Sequence, residues 1–340
     1  MQGDFSKLYE VSGVAFRTCG KGSPLILFHP SPNSSEIFTG FAKELSETFT
    51  VIAFDTPGYG SSRPMVLQNP SMTDYIHHIN RVVNQLGVDK MSIYGSATGA
   101  QLAIRYGNEY PDKIYRLYLD NSAHFTEEEV EKILVDYFPD LAPREDGKHI
   151  ERIWEIVSCL FQYFPWCFKE EAFKLSSPMP PVQVLHVIAL DYLKAGEHYA
   201  KAYKAAFQHE KVEYIQSLTV PTTIFRWEGS IVKKYTDRIF DYELSDNISG
   251  CKIDKDPAQR YASMAAQMTM MTDSQEEVEL SNYMEYDEPN LPVSLEELGE
   301  RPVIENTGEY LSLAWQMIAK KWPNLSPVQV QYALIRWYRS

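Results

Sequence analysis

Cysteine is scarce: Cys19, Cys159, Cys167 and Cys251 are scattered along 340 residues, with no C-x-x-C pair and no histidine at zinc-finger spacing. Such usage argues against a disulfide framework or a structural zinc and makes a reducing, cytoplasmic setting the expectation. No apolar run approaches the ~20 residues that a membrane-spanning helix needs, so no transmembrane segment is expected. The opening Met-Gln-Gly-Asp-Phe-Ser-Lys lacks the basic-then-apolar pattern of a secretion signal. Positive charge is in deficit, since 32 Lys and Arg against 46 Asp and Glu leave a formal charge of −14. An acidic chain repels phosphate backbones, so nucleic acid is not an expected partner, and neither is a membrane. There is no G-x-G-x-x-G, no P-loop and no H-E-x-x-H, so neither a cofactor nor a metal is expected. No histidine follows His209.

What is present is ordinary globular material, 44% hydrophobic and 23% charged, with chain enough for a substantial core. Strands and helices alternate through the first third. Pro24–Phe28, Thr50–Phe54, Met91–Tyr94 and Ile114–Leu119 are short apolar runs bounded by turn residues. Helical spacing fills 35–46, 74–86 and 100–110 between them. The alternation predicts an α/β fold with a mostly parallel central sheet flanked by helices. From Thr126 to about Gln216 the period is helical and the strands stop; Pro221–Phe225 restores a strand, and Cys251–Ile253 reads as the last one. The expected organisation is a sheet core of residues 1–123 and 217–280, a helical cap over 124–216, and a C-terminal helical extension over 281–340. Helices are expected at 309–321 and 327–339. The extension either packs on the core or makes a dimer contact.

Three segments carry more specific information. Gly95-Ser96-Ala97-Thr98-Gly99 follows a strand and opens a helix, the layout of a nucleophile elbow, in which small residues sit two before and two after the apex. Phe28-His29-Pro30-Ser31-Pro32 follows an earlier strand, and Asp55-Thr56-Pro57-Gly58-Tyr59-Gly60-Ser61-Ser62-Arg63-Pro64 follows the next. In this order and spacing the three resemble the α/β-hydrolase superfamily, in its capped small-molecule esterase and C–C hydrolase branch. The resemblance covers residues 20–120, and 217–275 more loosely. It implies a cap inserted after the sixth strand, where the helical stretch stands.

The resemblance also implies a nucleophile at the apex, an acid after the seventh strand and a histidine after the last, and this chain departs from that pattern. The apex is Ala97, whose methyl group attacks nothing. Glu228 is the carboxylate nearest the acid slot. Placing the last strand at Cys251–Ile253 puts Arg260 in the histidine slot; placing it at Pro302–Ile304 puts the slot near Glu309. The oxyanion-hole donors implied are the amides of Ser31 and Thr98, since Pro30 has no N–H.

Other side chains are candidates for the missing chemistry. His124 stands four residues after Asp120, where some superfamily members keep an alternative acid; a His124–Asp120 pair would serve as base and orienter, and otherwise His124 caps the next helix. His29 is a candidate ligand contact or a brace for its own loop. His149 and Trp154, on one cap helix, and Trp166, in the cluster from Phe161, are candidates for lining a pocket or for packing the lid. Arg260 would hold a carboxylate or phosphate, or else pair with Asp254 or Asp256. Three function classes stay open: action on a small, largely apolar carbonyl compound through an oxyanion hole without a serine acyl-enzyme; a catalytically inactive protein that binds a ligand or partner; and an ester, amide or lactone hydrolase whose serine has been replaced at position 97 or displaced to Ser96. The partner expected at the site is a small-molecule substrate or ligand.

Overall fold

Aliphatic and β-branched runs build one nine-stranded sheet. The computed structural model describes residues 4–176, 178–272, 276–299 and 309–339. Its strands are β1 (Tyr9–Val11), β2 (Val14–Cys19), β3 (Ser23–Phe28), β4 (Phe49–Phe54), β5 (Met91–Ser96), β6 (Ile114–Asp120), β7 (Thr222–Trp227), β8 (Ile248–Ile253) and β9 (Met284–Glu285). They lie in the order β8-β7-β6-β5-β3-β4-β2-β1-β9. β3 to β8 pair in parallel, while β1, β2 and β9 join antiparallel at one end. Every residue of β3, β4 and β5 is buried, as parallel strands covered on both faces require. The hairpin of β1 and β2 was not expected; its two-residue turn is Ser12-Gly13, both at positive φ. The strand expected at Cys251–Ile253 begins three residues earlier and forms the edge strand β8. The alternative last strand, Pro302–Ile304, lies outside the described residues.

The chain divides into two units. One comprises Met1–Lys132 and Ala200–Tyr286 and contains the sheet; the other comprises Ile133–Tyr199 and Asp287–Ser340. The observed boundaries therefore fall at 132, 199 and 286, whereas those expected fell at 123, 216 and 280, and the C-terminal helices group with the inserted ones.

In the sheet unit, alternate residues of adjacent strands meet one helical layer. Leu25, Leu27, Val51, Ala53, Tyr94, Tyr118 and Phe225 pack with Phe38, Phe41, Met264 and Met268. Each Leu, Val, Phe or Met among them contributes about 1.5–3 kcal/mol on burial. Helix Met72–Gln85 starts at a capping box, with Ser71 and Asp74 each bonding the other's backbone N–H.

In the helical unit, Lys148–Leu160, Val182–Ala195, Glu309–Lys321 and Pro327–Arg339 pack together. Ile150, Ile153, Leu190, Leu193, Leu311 and Leu334 are among its buried side chains. The C-terminal helices cover the ranges that their periodicity predicts.

Candidate functional site

At the carboxyl end of β5 the chain reverses within one residue. Ala97 lies at φ 51° and ψ −112°, and helix Thr98–Glu109 begins immediately after it. The turn closes tightly enough that a Cβ on Gly95 would stand 2.1 Å from the Gly99 carbonyl oxygen, and one on Gly99 would stand 2.0 Å from that of Phe28. Glycine at both positions is therefore a steric requirement. A non-glycine residue held at such φ and ψ costs about 1–3 kcal/mol and persists only because its surroundings impose it. Here Ala97 donates its N–H to the Asp120 carbonyl (2.9 Å), and its own carbonyl accepts from Ala100 (2.9 Å) and Gln101 (3.2 Å).

The loop after β3 faces a second loop and is tied to it. His29, fully buried, accepts the Thr56 N–H at Nε2 (2.9 Å) and donates from Nδ1 to the Pro30 carbonyl (2.9 Å). Burial holds its pKa below the usual imidazole value. Both ring nitrogens are spent on the backbone, so His29 braces the loop. Asp55 completes the tie by accepting the N–H of Ser35 (2.7 Å) and of Ser61 (2.8 Å). The amides of Ser31 and Thr98 have no acceptor among the described residues. A free N–H at the first turn of a helix is a donor for an anionic or carbonyl oxygen.

Asp120, at the end of β6 and without solvent exposure, gathers donors on one oxygen. Its Oδ2 accepts from the Tyr94 hydroxyl (2.7 Å), the Ser96 hydroxyl (3.0 Å), Asn121 Nδ2 (3.2 Å) and Arg260 Nη2. Asn121 also donates to Ser96 Oγ (3.1 Å) and accepts from Ser230 Oγ (2.6 Å). The Arg260 guanidinium stands 4.1 Å from the Trp227 ring centroid and 5.3 Å from that of Tyr261. Burial works against its charge, but the Asp120 carboxylate together with the Tyr94 and Tyr261 hydroxyls outweighs burial and holds the guanidinium protonated more firmly than usual. Burial, and then the same carboxylate, push the Tyr94 hydroxyl up.

Several expected relationships take a different form. The His124–Asp120 pair does not form, because the His124 ring is used elsewhere: Nδ1 accepts the Val212 N–H (3.2 Å) and Nε2 bonds the Tyr242 hydroxyl (3.0 Å). Burial lowers the His124 pKa. Arg260 pairs with Asp120 rather than with Asp254 or Asp256. Glu228, its side chain 44% exposed, pairs with Lys233 at 3.6 Å. Ser96 turns its hydroxyl into the Asp120 cluster, away from the role of a displaced nucleophile.

His149, Trp154 and Trp166 belong to the helical unit, and their partners lie in it. His149 is buried, accepts the Arg144 N–H at Nδ1 (3.2 Å) and meets the Trp315 ring edge-on at 4.7 Å. Trp154 packs on His186 at 5.1 Å. Trp166 donates to the Tyr137 carbonyl (3.2 Å) and lies under Arg152 at 5.3 Å. These contacts are those of side chains packing a helical core.

Two buried polar groups escaped the sequence reading. His209 bonds Gln101 Oε1 through Nδ1 (2.9 Å) and stacks flat on Tyr214 at 4.0 Å, and burial pushes its pKa down to about 3. Glu210, the next residue, is 6% exposed, its Oε2 has no partner among the described residues, and burial pushes its carboxyl up to about 8. In Gln-His-Glu-Lys-Val-Glu a glutamate looks solvated, and no periodicity marks it otherwise. Among the described residues no group of three His, Cys, Asp or Glu could hold a metal, and no helix is long and apolar enough to cross a membrane.

The family model described as alpha/beta hydrolase fold matches residues 23–151, the segment from β3 into the first helix of the helical unit. An uncharacterised protein of Mycobacterium tuberculosis is 28% identical over 115 residues, 34% of this chain and 33% of its own length. The soluble epoxide hydrolase of a Corynebacterium is 33% identical over 105 residues, 30% of this chain and 35% of its own. The matched part of the chain thus spans about a third of the length of these curated relatives. Among solved structures, an epoxide hydrolase from an endophytic Streptomyces superposes with a TM-score of 0.58 at 15% identity, covering 78% of this chain and 93% of that one. At that identity the likeness concerns the fold.

Proposed function

Because the chain belongs to the α/β-hydrolase superfamily and yet carries a methyl group at its elbow, we propose that its site binds a small carbonyl compound non-covalently, through the amides of Ser31 and Thr98, and forms no acyl-enzyme. The observation that carries this reading is the backbone of Ala97. Its φ of 51° is costly, and no nucleophile remains to be displayed by it. What the strained turn still provides is the aim of the Thr98 N–H at the start of a helix. A pair of fixed amides lowers the energy of charge on a carbonyl oxygen whether or not a bond forms to the carbon. Chemistry at such a site is confined to binding the carbonyl or polarising it, as in a lyase or cyclase step.

Hydrolysis by the usual route needs an imidazole to take the serine proton. In this reading residue 260 holds the base slot with an arginine already paired to Asp120, and His29 and His124 have both ring nitrogens engaged. The test sets the protein beside its Ala97→Ser variant with short-chain aryl esters, and titrates the protein with methyl benzoylformate, a neutral keto ester, by calorimetry. Ester turnover above the buffer rate by neither protein, together with saturable keto-ester binding, is expected. Burst release of the aryl alcohol by either protein, or no keto-ester binding, overturns the proposal.

A further inference from the structure

We infer that Arg260 holds a carboxylate on the same ligand whose carbonyl meets the elbow amides, so that the ligand class is a small carbonyl compound bearing one carboxylate. The inference rests on the carbonyl-binding reading and adds the ligand's second anchor.

The first support is an imbalance of hydrogen bonds around the ion pair. A guanidinium carries five N–H donors. Among the described residues Arg260 spends Nη2 on Asp120, and its Nε, buried, has no partner. Asp120 meanwhile receives three neutral donors besides Arg260, from Tyr94, Ser96 and Asn121. Oδ2 of Asp120 thus has neutral donors besides the arginine, and the arginine keeps N–H groups that the ion pair does not use.

Position and rigidity are the second support. The Asp120 oxygen that takes Arg260 also takes the hydroxyl of Ser96, the residue before the apex, 3.0 Å away. The guanidinium thus lies one carboxylate oxygen from the elbow. It lies over the rings of Trp227 and Tyr261, with its side chain 15% exposed, so the fork is set before a ligand arrives. A monoanion suits this setting better than a phosphate dianion, because Asp120 already places one negative charge beside the guanidinium.

The test compares benzoylformate with methyl benzoylformate, which share the ketone and differ in charge, by calorimetry at low salt. The acid is expected to bind at least tenfold more tightly than the ester. In the D120N/R260Q double variant, which removes both charges together and leaves a neutral pair, that preference should fall to within twofold while the ester binds as before. Arg260→Lys keeps the charge but loses the planar fork, and should retain a smaller preference; it serves as the second variant if the double one does not fold by circular dichroism. Equal binding of acid and ester, or a preference that survives the loss of Arg260, overturns the assignment of Arg260 and leaves the carbonyl reading standing. Failure of both ligands to bind overturns the carbonyl reading and the assignment together.

Discussion

Arg260 closes an ion pair on Asp120, a carboxylate with no solvent exposure that precedes it by 140 residues. The pair joins the carboxyl end of β6 to the helix that follows β8, beside the elbow residue Ser96. A carboxylate so placed is tolerable only while its charge is balanced.

Removing one partner should show this. Arg260→Gln leaves a buried, uncompensated charge and should lower the unfolding free energy by about 3–5 kcal/mol. The D120N/R260Q double variant should lose far less, because no charge is stranded. Urea denaturation of the two single variants and the double one gives the coupling; additive losses would show the pair to be dispensable.

The strain at Ala97 predicts an unusual gain. Ala97→Gly places at φ 51° the one residue that adopts it freely, and should raise stability by about 1 kcal/mol after the entropy that glycine loses. A lower midpoint of urea unfolding in the variant would mean that the turn is not strained.

Gly99 predicts the opposite. A Cβ there would stand 2.0 Å from the Phe28 carbonyl oxygen, a backbone atom that cannot swing aside. Gly99→Ala should cost about 3 kcal/mol or more, through displacement of the helix from β3. Wild-type thermal stability in that variant would contradict the elbow geometry.

Glu210 predicts a pH dependence. Its carboxyl is raised to about 8 in the folded protein from a reference value of 4.5, so folding favours its proton, and the stability it confers is present below 4.5 and lost as pH rises towards 8. His209, lowered to about 3 from 6.5, acts in the other sense, its contribution being lost as pH falls from 6.5 towards 3. Towards pH 8, where the unfolded imidazoles of His209 and of the other buried histidines have lost their protons, the Glu210 effect should dominate, with a slope of up to about 1.4 kcal/mol per pH unit. Denaturation at stepped pH should show that decline in the native chain and its absence in Glu210→Gln.

The parallel strands and the elbow were legible because each is a local pattern: an apolar run between turn residues, or two glycines around an apex. The extended β1–β2 hairpin was not, since three residues and then six around Ser12-Gly13 give too short a run to separate from loop. The partnership of Arg260 with Asp120 was illegible for another reason. Sequence proximity offers Asp254 and Asp256 to Arg260, and only the sheet order brings β6 close to the helix after β8. Glu210 was missed because burial of a lone carboxyl has no sequence signature.

The helical unit is assembled from Ile133–Tyr199 and Asp287–Ser340, with the last part of the sheet unit encoded in between. A chain leaving the ribosome thus delivers helices Lys148–Leu160 and Val182–Ala195 long before Leu311, Trp315 and Leu334 exist to pack with them. At ordinary translation speeds that interval lasts roughly 6 to 23 seconds, and Ile153 and Leu190 spend it without the C-terminal part of their core. The sheet, whose last strand ends at Glu285, can close within the same interval. Completion of the helical unit therefore waits on helix Pro327–Arg339, and a nascent chain stalled between residues 200 and 310 leaves the faces of Ile153 and Leu190 open to chaperones and proteases.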